Sequence, residues 1–203
     1  VLFSPEIRNI LEQMGKGTTR KVFKNIFNSG VGVDVAEMKK TVDAVCKACA
    51  EMSDDKIGAL IVFENDTLLG DIISSGTVID GKCSKELICN VFYPKAPLHD
   101  GAMVIRSDSV YAAGCILPLT KNNSISSALG TRHRAAIGIT EQSDAIVFVV
   151  SEETGAISCA VNGNLQHDIS TGDMRDILTN QYIPSDYNSD DKIISKITRR
   201  FRK

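Results

Sequence analysis

Residues 57–65 read IGALIVFEN, and this short run decides the fold of the chain. Its core, from Ile57 to Phe63, is apolar without a charged break, and turn-forming residues bound it on both sides. A continuous apolar run of this length is typical of a strand that is buried on both faces. The stretch therefore predicts a central strand in a sheet that other elements cover on both sides.

Helical and hairpin patterns surround this strand along the chain. Residues 35–52 carry apolar side chains at spacings that share one helix face, and three shorter helices are predicted at residues 4–14, 84–93 and 170–180. The runs AMVIR with VYAAGCILPL, and AIVFVV with AISCAV, flank turn residues and predict two β-hairpins. The expected fold class is α/β (α+β), a single domain with a central mixed β-sheet flanked by helices.

The predicted domain covers residues 1–183, in which residues 1–34 form an N-terminal helix and connector. Residues 184–203 form a polar linker and a basic tail, and KIISKITRRFRK at residues 192–203 has six positive side chains and no acid. Such a tail is most often a solvated end, and a membrane-surface or nucleic-acid role is the less common alternative. The whole chain has 23 basic and 25 acidic residues, a balance that argues against a general nucleic-acid binder.

The six cysteines do not follow the pattern of a disulfide scaffold or a zinc site. Cys46 and Cys49 form a C-x-x-C inside a helical pattern, and Cys83 and Cys89 lie too far apart for a usual zinc pair. Reduced, mostly buried thiols in a reducing compartment are expected. No apolar run approaches the ~20 residues that span a bilayer, and no signal peptide is found.

One glycine-rich stretch imitates a phosphate-binding loop. Residues 76–83, GTVIDGKC, match G-x-x-x-x-G-K, but Cys83 stands where a magnesium-binding Ser or Thr is required. The stretch before it, GDIISSG, has the pattern of a weak strand. A turn leading into the helix at Ser84 is the expected structure of residues 76–83.

Three other stretches carry candidate chemistry. In APLHDGAMVIR, residues 96–106, His99 and Asp100 precede a strand; Asp100 could bind a cation or accept a proton, or simply cap a turn. In GTRHRAAIG, residues 130–138, a helix capped by Thr131 would direct its first amides and two arginines at a phosphate chain. In VSEETG, residues 150–155, the two glutamates are either ordinary hairpin-tip residues, or one of them shares a metal with Asp100. A metal-dependent phosphohydrolase of the HD type is poorly supported, because only three histidines are present and Pro97 and Gly101 disfavour a helix at His99.

Taken together, these motifs resemble those of the diadenylate cyclases. Asp100-Gly101-Ala102 matches the DGA motif and Arg132-His133-Arg134 the RHR motif, and the resemblance runs from about residue 2 to 180 through PLHDGA, GCILPL, LGTRHRAA and VSEETG. It implies an enzyme that condenses two ATP molecules into cyclic di-AMP, with release of two pyrophosphates. It also implies that two copies meet face to face as a homodimer, each holding one ATP.

The resemblance also implies roles for individual residues. Asp100, Gly101 and Ala102 would be catalytic, and Asp100, His99 and Glu153 would bind a divalent metal ion (Mn²⁺, Mg²⁺ or Co²⁺). Leu117 would line the adenine pocket; some members of the family have an aromatic residue where Ile116 stands. The expected ATP-binding residues are Leu117, Gly130, Thr131, Arg132, His133, Arg134, Ser151 and Glu152.

Two alternative functions stay open: a non-catalytic module that senses ATP, and a nucleotide phosphodiesterase. The N-terminal stretch is most like the membrane-anchored CdaA type of the family. That likeness implies a cytoplasmic domain, anchored by upstream helices in the full-length protein and open to a membrane-anchored regulator. No nucleic-acid partner is expected.

Overall fold

The computed structural model describes residues 35–122 and 129–183. In chain order these residues form five helices and seven strands: α1 Val35–Asp54, β1 Ala59–Glu64, α2 Gly70–Ser74, β2 Thr77–Lys82, α3 Lys85–Phe92, β3 Ala102–Arg106, β4 Ser109–Cys115, α4 Thr131–Thr140, β5 Ile146–Val150, β6 Ile157–Val161, β7 Asn164–Gln166 and α5 Thr171–Gln181. The predicted helix at residues 4–14 and the basic tail lie outside the described residues.

All seven strands belong to one mixed sheet in the order β2-β4-β3-β1-β5-β6-β7. β1 pairs with β3 in parallel, and every other pair of neighbours is antiparallel. Every residue of β1 is buried, as the apolar run at its centre predicts. The expected fold class, a central mixed sheet flanked by helices, is confirmed.

Alternate residues of the central strands are packed into hydrophobic cores on opposite faces of the sheet. Leu60 and Val62 of β1 pack with Val147 and Val149 of β5 in a cluster that includes the buried face of α4. On the other face, the ring of Phe63 meets Phe148 edge-on at a centroid distance of 6.0 Å. The sheet is therefore buried on both faces, which explains why its central strands show no polar alternation.

The last residues of β1 and β3, Glu64 and Arg106, form an ion pair whose carboxylate is buried. Arg106 Nε donates to Glu64 Oε1 at 2.5 Å and Arg106 Nη2 to Glu64 Oε2 at 3.0 Å. The same carboxylate accepts the Leu69 backbone N–H, and the guanidinium carbon lies 3.9 Å from the centre of the Tyr111 ring. A buried carboxylate with its partners satisfied in this way pins the two parallel strands together.

Several local predictions can now be compared with the structure. Both hairpins are confirmed, as are the helices predicted at residues 84–93 and 170–180, which are α3 and α5 with Ser84 and Ser170 as their N-cap residues. Two predictions were wrong: the stretch GDIISSG contains helix α2, and residues 77–82 form edge strand β2 rather than a turn. The short strand β7 was not predicted. Propensity misled here because β2 gains its order from pairing with β4.

The six cysteines, all within the described residues, are free thiols, and five of them are buried. Burial raises the pKa of Cys46 and of Cys83 to about 11, so both stay protonated at neutral pH. The prediction of reduced, mostly buried thiols fits this arrangement. Within the described residues, no helix is long and apolar enough to cross a bilayer.

Candidate active site

The three candidate motifs meet at one end of the sheet. β1 and β3 begin there, and their antiparallel neighbours β5 and β4 end there, as the pairings Ala59 with Val150 and Ala102 with Cys115 show. The helix α4 also begins at this end. A cavity of about 630 Å³ opens between these strand ends and the first turn of α4.

The first predicted motif forms the turn that enters β3. Asp100 is exposed and lines the cavity, and its carboxylate has no hydrogen-bond or ion-pair partner within residues 35–122 and 129–183. Gly101 has a φ of +105°, and a Cβ there would lie 2.8 Å from the carbonyl oxygen of Cys115. Only glycine fits where the backbone at residue 101 crosses the end of β4, and this crossing directs residue 100 into the cavity.

The second motif is the start of α4. Gly130 is the N-cap residue, so the prediction that Thr131 caps the helix was wrong; Thr131 is the first helical residue. The first amide bonds of the helix run from His133 and Arg134 back to the Gly130 carbonyl. The N–H groups of Thr131 and Arg132 precede these bonds and belong to the positive end of the helix, which is suited to an anion.

Arg132 reaches across the cavity to the third motif. Its Nη1 donates to Glu152 Oε2 at 2.8 Å, and both residues line the cavity. The Arg132 side chain is mostly shielded, with 25% exposed, whereas Glu152 is 63% exposed. The guanidinium is therefore held in a fixed place before any ligand arrives.

The loop between β5 and β6 carries the third motif and is braced from within. Ser151 Oγ accepts the backbone N–H of Glu153 and of Thr154, each at 3.3 Å, and the Ser151 carbonyl accepts the Gly155 N–H at 2.9 Å. Ser151 and Glu153 both line the cavity. The hydroxyl proton of Ser151 remains available for donation to a ligand oxygen.

His133 lines the cavity, but its side chain is almost entirely buried. Its Nε2 lies 3.2 Å from Ser158 Oγ, and its ring stacks on that of His167 at a centroid distance of 6.0 Å. Burial, followed by the charges of His167 and Arg132, lowers the pKa of His133. His133 is therefore a neutral ring at neutral pH that supports the first turn of α4.

The rest of the cavity wall is apolar. Leu117 is buried and lines the cavity, while Ile116 and Leu119 at its rim are 71% and 46% exposed; a contact of Leu117 with adenine stays a prediction. Sequence reasoning missed several lining residues, including Leu60 and His167. Leu60 gave no functional signal because an apolar strand residue is read as core, and His167 stands outside every motif.

Three predicted site residues lie outside the cavity lining. Ala102 is fully buried in the core below it, and Arg134 is exposed. His99 is half-buried, and its Nδ1–H donates to the Ala96 carbonyl at 2.6 Å; its Nε2 has no partner among the described residues. The roles assigned to these three residues stay predictions.

The residues present can hold a divalent cation only in part. Asp100 and Glu153 both line the cavity and offer carboxylate oxygens, the ligands that Mg²⁺ and Mn²⁺ prefer. Within the described part of the chain, no three His, Cys, Asp or Glu residues form a ready-made metal cluster. A cation at this site would need further ligands from a phosphate chain and from water. Mg²⁺ is usually bound in this way, by one or two carboxylates together with phosphate oxygens and waters.

Comparison with known proteins shows the family of the chain. Residues 46–165 match the model of the DAC family, described as the nucleotide-binding domain of the bacterial checkpoint controller DisA. The chain belongs to this family. It is 41% identical over 182 residues to the cyclic di-AMP synthase CdaA of Bacillus subtilis, and 38% identical over 183 residues to a diadenylate cyclase of Listeria monocytogenes; each match covers 90% of this chain. In both cases the chain spans 64% of the length of the relative.

Solved structures agree with the family and the fold. A crystal structure of a double mutant of DacA from Staphylococcus aureus matches with a TM-score of 0.70 at 47% identity, over 71% of this chain and 97% of that one. A protein of Bacillus cereus, described as a hypothetical membrane-spanning protein, matches with a TM-score of 0.61 at 44% identity, over 63% of this chain and 62% of that one.

Proposed function

We propose that the chain is a diadenylate cyclase, which joins two ATP molecules into cyclic di-AMP and releases two pyrophosphates. The observation that carries the proposal is a single cavity lined by Asp100, by the first turn of α4 and by the acidic loop after β5. The names of the Bacillus subtilis and Listeria monocytogenes relatives support the same activity.

The proposed binding mode follows from the chemistry of the cavity wall. The apolar part near Leu117 suits the adenine ring, and the first-turn amides of α4 with Arg132 suit the phosphate chain. Thr131 and Ser151 would add hydroxyl donors to the phosphates. Arg134, which is exposed, is proposed as a further phosphate contact.

The proposed reaction consists of two equivalent phosphoryl transfers. In each, the 3'-hydroxyl oxygen of one ATP forms a bond to the α-phosphorus of the other, and the bond from that phosphorus to the bridging oxygen breaks. The electron pair leaves with pyrophosphate, and the hydroxyl proton passes to Asp100, whose carboxylate is unpartnered within the described residues. Catalysis of this kind depends on positioning and on neutralising phosphate charge.

A divalent metal is the proposed cofactor, held by Asp100 and Glu153 with His99 as a further candidate ligand. When bound, it would neutralise charge on the phosphates and favour departure of pyrophosphate. Within residues 35–122 and 129–183, His99 Nε2 and the Glu153 carboxylate have no partner, and both are suitable metal ligands. The choice among Mn²⁺, Mg²⁺ and Co²⁺ is left to experiment.

The proposed active form is a face-to-face homodimer. One cavity of this size and openness accepts one ATP, and both attacks can be equivalent only if a two-fold axis relates two such cavities. The apolar side chains of Ile116 and Leu119, exposed at the cavity rim, would be covered in such a dimer.

Anchoring of the full-length protein in the membrane, next to a regulator, is proposed from the description of the Bacillus cereus relative.

The experiment that tests the activity is an incubation with ATP and, separately, Mn²⁺, Mg²⁺ or Co²⁺, with products identified by mass spectrometry. Cyclic di-AMP and pyrophosphate are expected, and Asp100→Asn should abolish both while ATP still binds. ADP or AMP as the product would favour the phosphodiesterase alternative. Unchanged ATP with every metal, at a concentration where the chain is dimeric, would favour the sensing module.

A further inference from the structure

A glycine outside every motif lies directly against the phosphate-binding arginine. Gly58 is buried in the connection between α1 and β1. Its φ is not in the left-handed region, so the backbone itself does not require a glycine there. The reason for a glycine at this position must therefore lie in what surrounds it.

The surroundings are the guanidinium and its carboxylate partner. A Cβ added to Gly58 would lie 2.7 Å from Nη1 and 2.9 Å from Cζ of Arg132, and 3.0 Å from Oε2 of Glu152. Distances below 3.0 Å are essentially absent from real structures, so the space of a side chain at residue 58 is already filled by this ion pair. All three nearest atoms belong to side chains and none to backbone.

Three separate parts of the chain thus fix one guanidinium. The side chain starts from the first turn of α4, Glu152 holds Nη1 from the β5–β6 loop, and the bare backbone at Gly58 provides the surface on which the group rests. The bond to Glu152 uses one of the five N–H donors of an arginine. The remaining donors are therefore presented in a set direction, which is what recognition of a phosphate requires.

We propose that Gly58 is a positioning residue for the phosphate chain of ATP, acting through the Arg132–Glu152 pair. This inference rests on the proposed function, because it assumes that the ligand in the cavity carries phosphates. A methyl group at residue 58 would push the guanidinium away from its place while leaving the adenine side of the cavity intact. ATP should lose affinity by roughly 10-fold, the effect of one misplaced charge-assisted hydrogen bond, and adenosine should lose none.

The test measures binding of α,β-methylene-ATP, which cannot release pyrophosphate, and of adenosine, by titration calorimetry with Mg²⁺ present. Gly58→Ala is compared with Gly70→Ala, a matched control in which the added Cβ meets no atom within 4 Å. Arg132→Ala and the double variant Gly58→Ala/Arg132→Ala complete a double-mutant cycle. Thermal unfolding of all variants is recorded in parallel.

The expected result is a selective loss of the ATP analogue in Gly58→Ala, with no further loss when the same change is made in Arg132→Ala. Equal affinity of Gly58→Ala and wild type, or an additional 10-fold loss in the double variant, would overturn the inference. A Gly58→Ala chain that unfolds, and is not rescued by Arg132→Ala, would also overturn it, since the clash would then lie elsewhere. Wild-type chain that binds no ATP analogue would instead reject the proposed function, and this inference with it.

Discussion

Arg132 and Arg134 are two residues apart in one helix, yet they face different surroundings. Arg132 lines the cavity and is held by Glu152, whereas Arg134 is exposed and outside the lining. A residue that is already oriented loses less entropy on binding a ligand and contributes more to affinity. We therefore expect the two arginines of the motif to contribute unequally to the proposed binding of ATP.

The prediction concerns single alanine variants at low protein concentration, where one protomer binds its own ATP. Arg132→Ala should weaken ATP binding by roughly 10-fold or more, and Arg134→Ala by clearly less. Adenosine binding serves as the control and should change in neither. Equal losses from the two variants, measured by titration calorimetry, would contradict this division.

His133 makes the stability of the fold depend on pH. Its pKa is lowered in the folded chain, below the 6.5 of a free histidine, first by burial and then by His167 and Arg132. Between the folded pKa and about 6.5 the unfolded chain therefore binds more protons, so the free energy of unfolding falls as the pH falls through this range. Below the folded pKa both states are protonated, and this contribution stays constant.

The expected outcome is a smaller pH dependence in His133→Gln, whose amide can still reach Ser158 and does not titrate. Urea unfolding at pH 7.5, 6.5 and 5.5 compares the variant with wild type, and the difference between them isolates residue 133 from other titrating groups. If the free energy of unfolding changed with pH by the same amount in both proteins, the pKa of His133 would not be lowered by folding.

At the scale of the elements, the start of helix α5 is stabilised by hydrogen bonds between Ser170 and Asp173. Ser170 Oγ accepts the Asp173 N–H at 3.1 Å, and the Asp173 carboxylate accepts the Ser170 N–H at 3.1 Å, which together make a capping box. The helix buries Met174 and Leu178, and Tyr182 just after it donates its hydroxyl to the Ser107 carbonyl. A weakened start of α5 thus also acts on the packing of its buried side chains Met174 and Leu178.

Ser170→Ala should lower the free energy of unfolding by about 1 kcal/mol, the usual effect of losing a serine cap. Thr171→Ala is the matched control, because the Thr171 side chain is exposed and makes no hydrogen bond within the described part of the chain. Chemical denaturation measures both. A control that is destabilised as much as Ser170→Ala would exclude the capping box as the cause.

The elements also show where sequence reasoning succeeds. β1 and the two hairpins follow from apolar runs and turn residues because burial on both faces leaves a local signal. β2 left none, because it is an edge strand whose order comes from β4, a partner distant in sequence. β7 pairs with its chain neighbour β6 across Asn162-Gly163, but its three residues are too short a run to be predicted as a strand from the pattern alone. In the site, charged and acidic residues could be predicted, whereas Gly58 could not, since its role is to leave space for side chains that only the fold brings near.

At the scale of the whole molecule, the proposed reaction ties activity to association. If two cavities must face each other, specific activity should rise with protein concentration until the dimer is fully formed. Ile116→Lys places a charge on the exposed cavity rim and should move this rise to higher concentration. Leu68→Lys is the control, since Leu68 is 75% exposed and lies outside the cavity lining.

Turnover assays over a dilution series, together with sedimentation of the same samples, measure this dependence. A constant specific activity in a sample that sedimentation shows to be monomeric would reject the shared reaction. An equal effect of the Leu68 and Ile116 variants would reject the cavity rim as the contact surface.

The parallel pair β1 and β3 has a further consequence. Both strands begin at the cavity and end at the Arg106–Glu64 ion pair, so their beginnings lie at the proposed ligand site and their ends secure the sheet. The two duties are separated along the strand axis by the length of a strand. A substitution at one end of these strands is therefore expected to leave the other end with little disturbance.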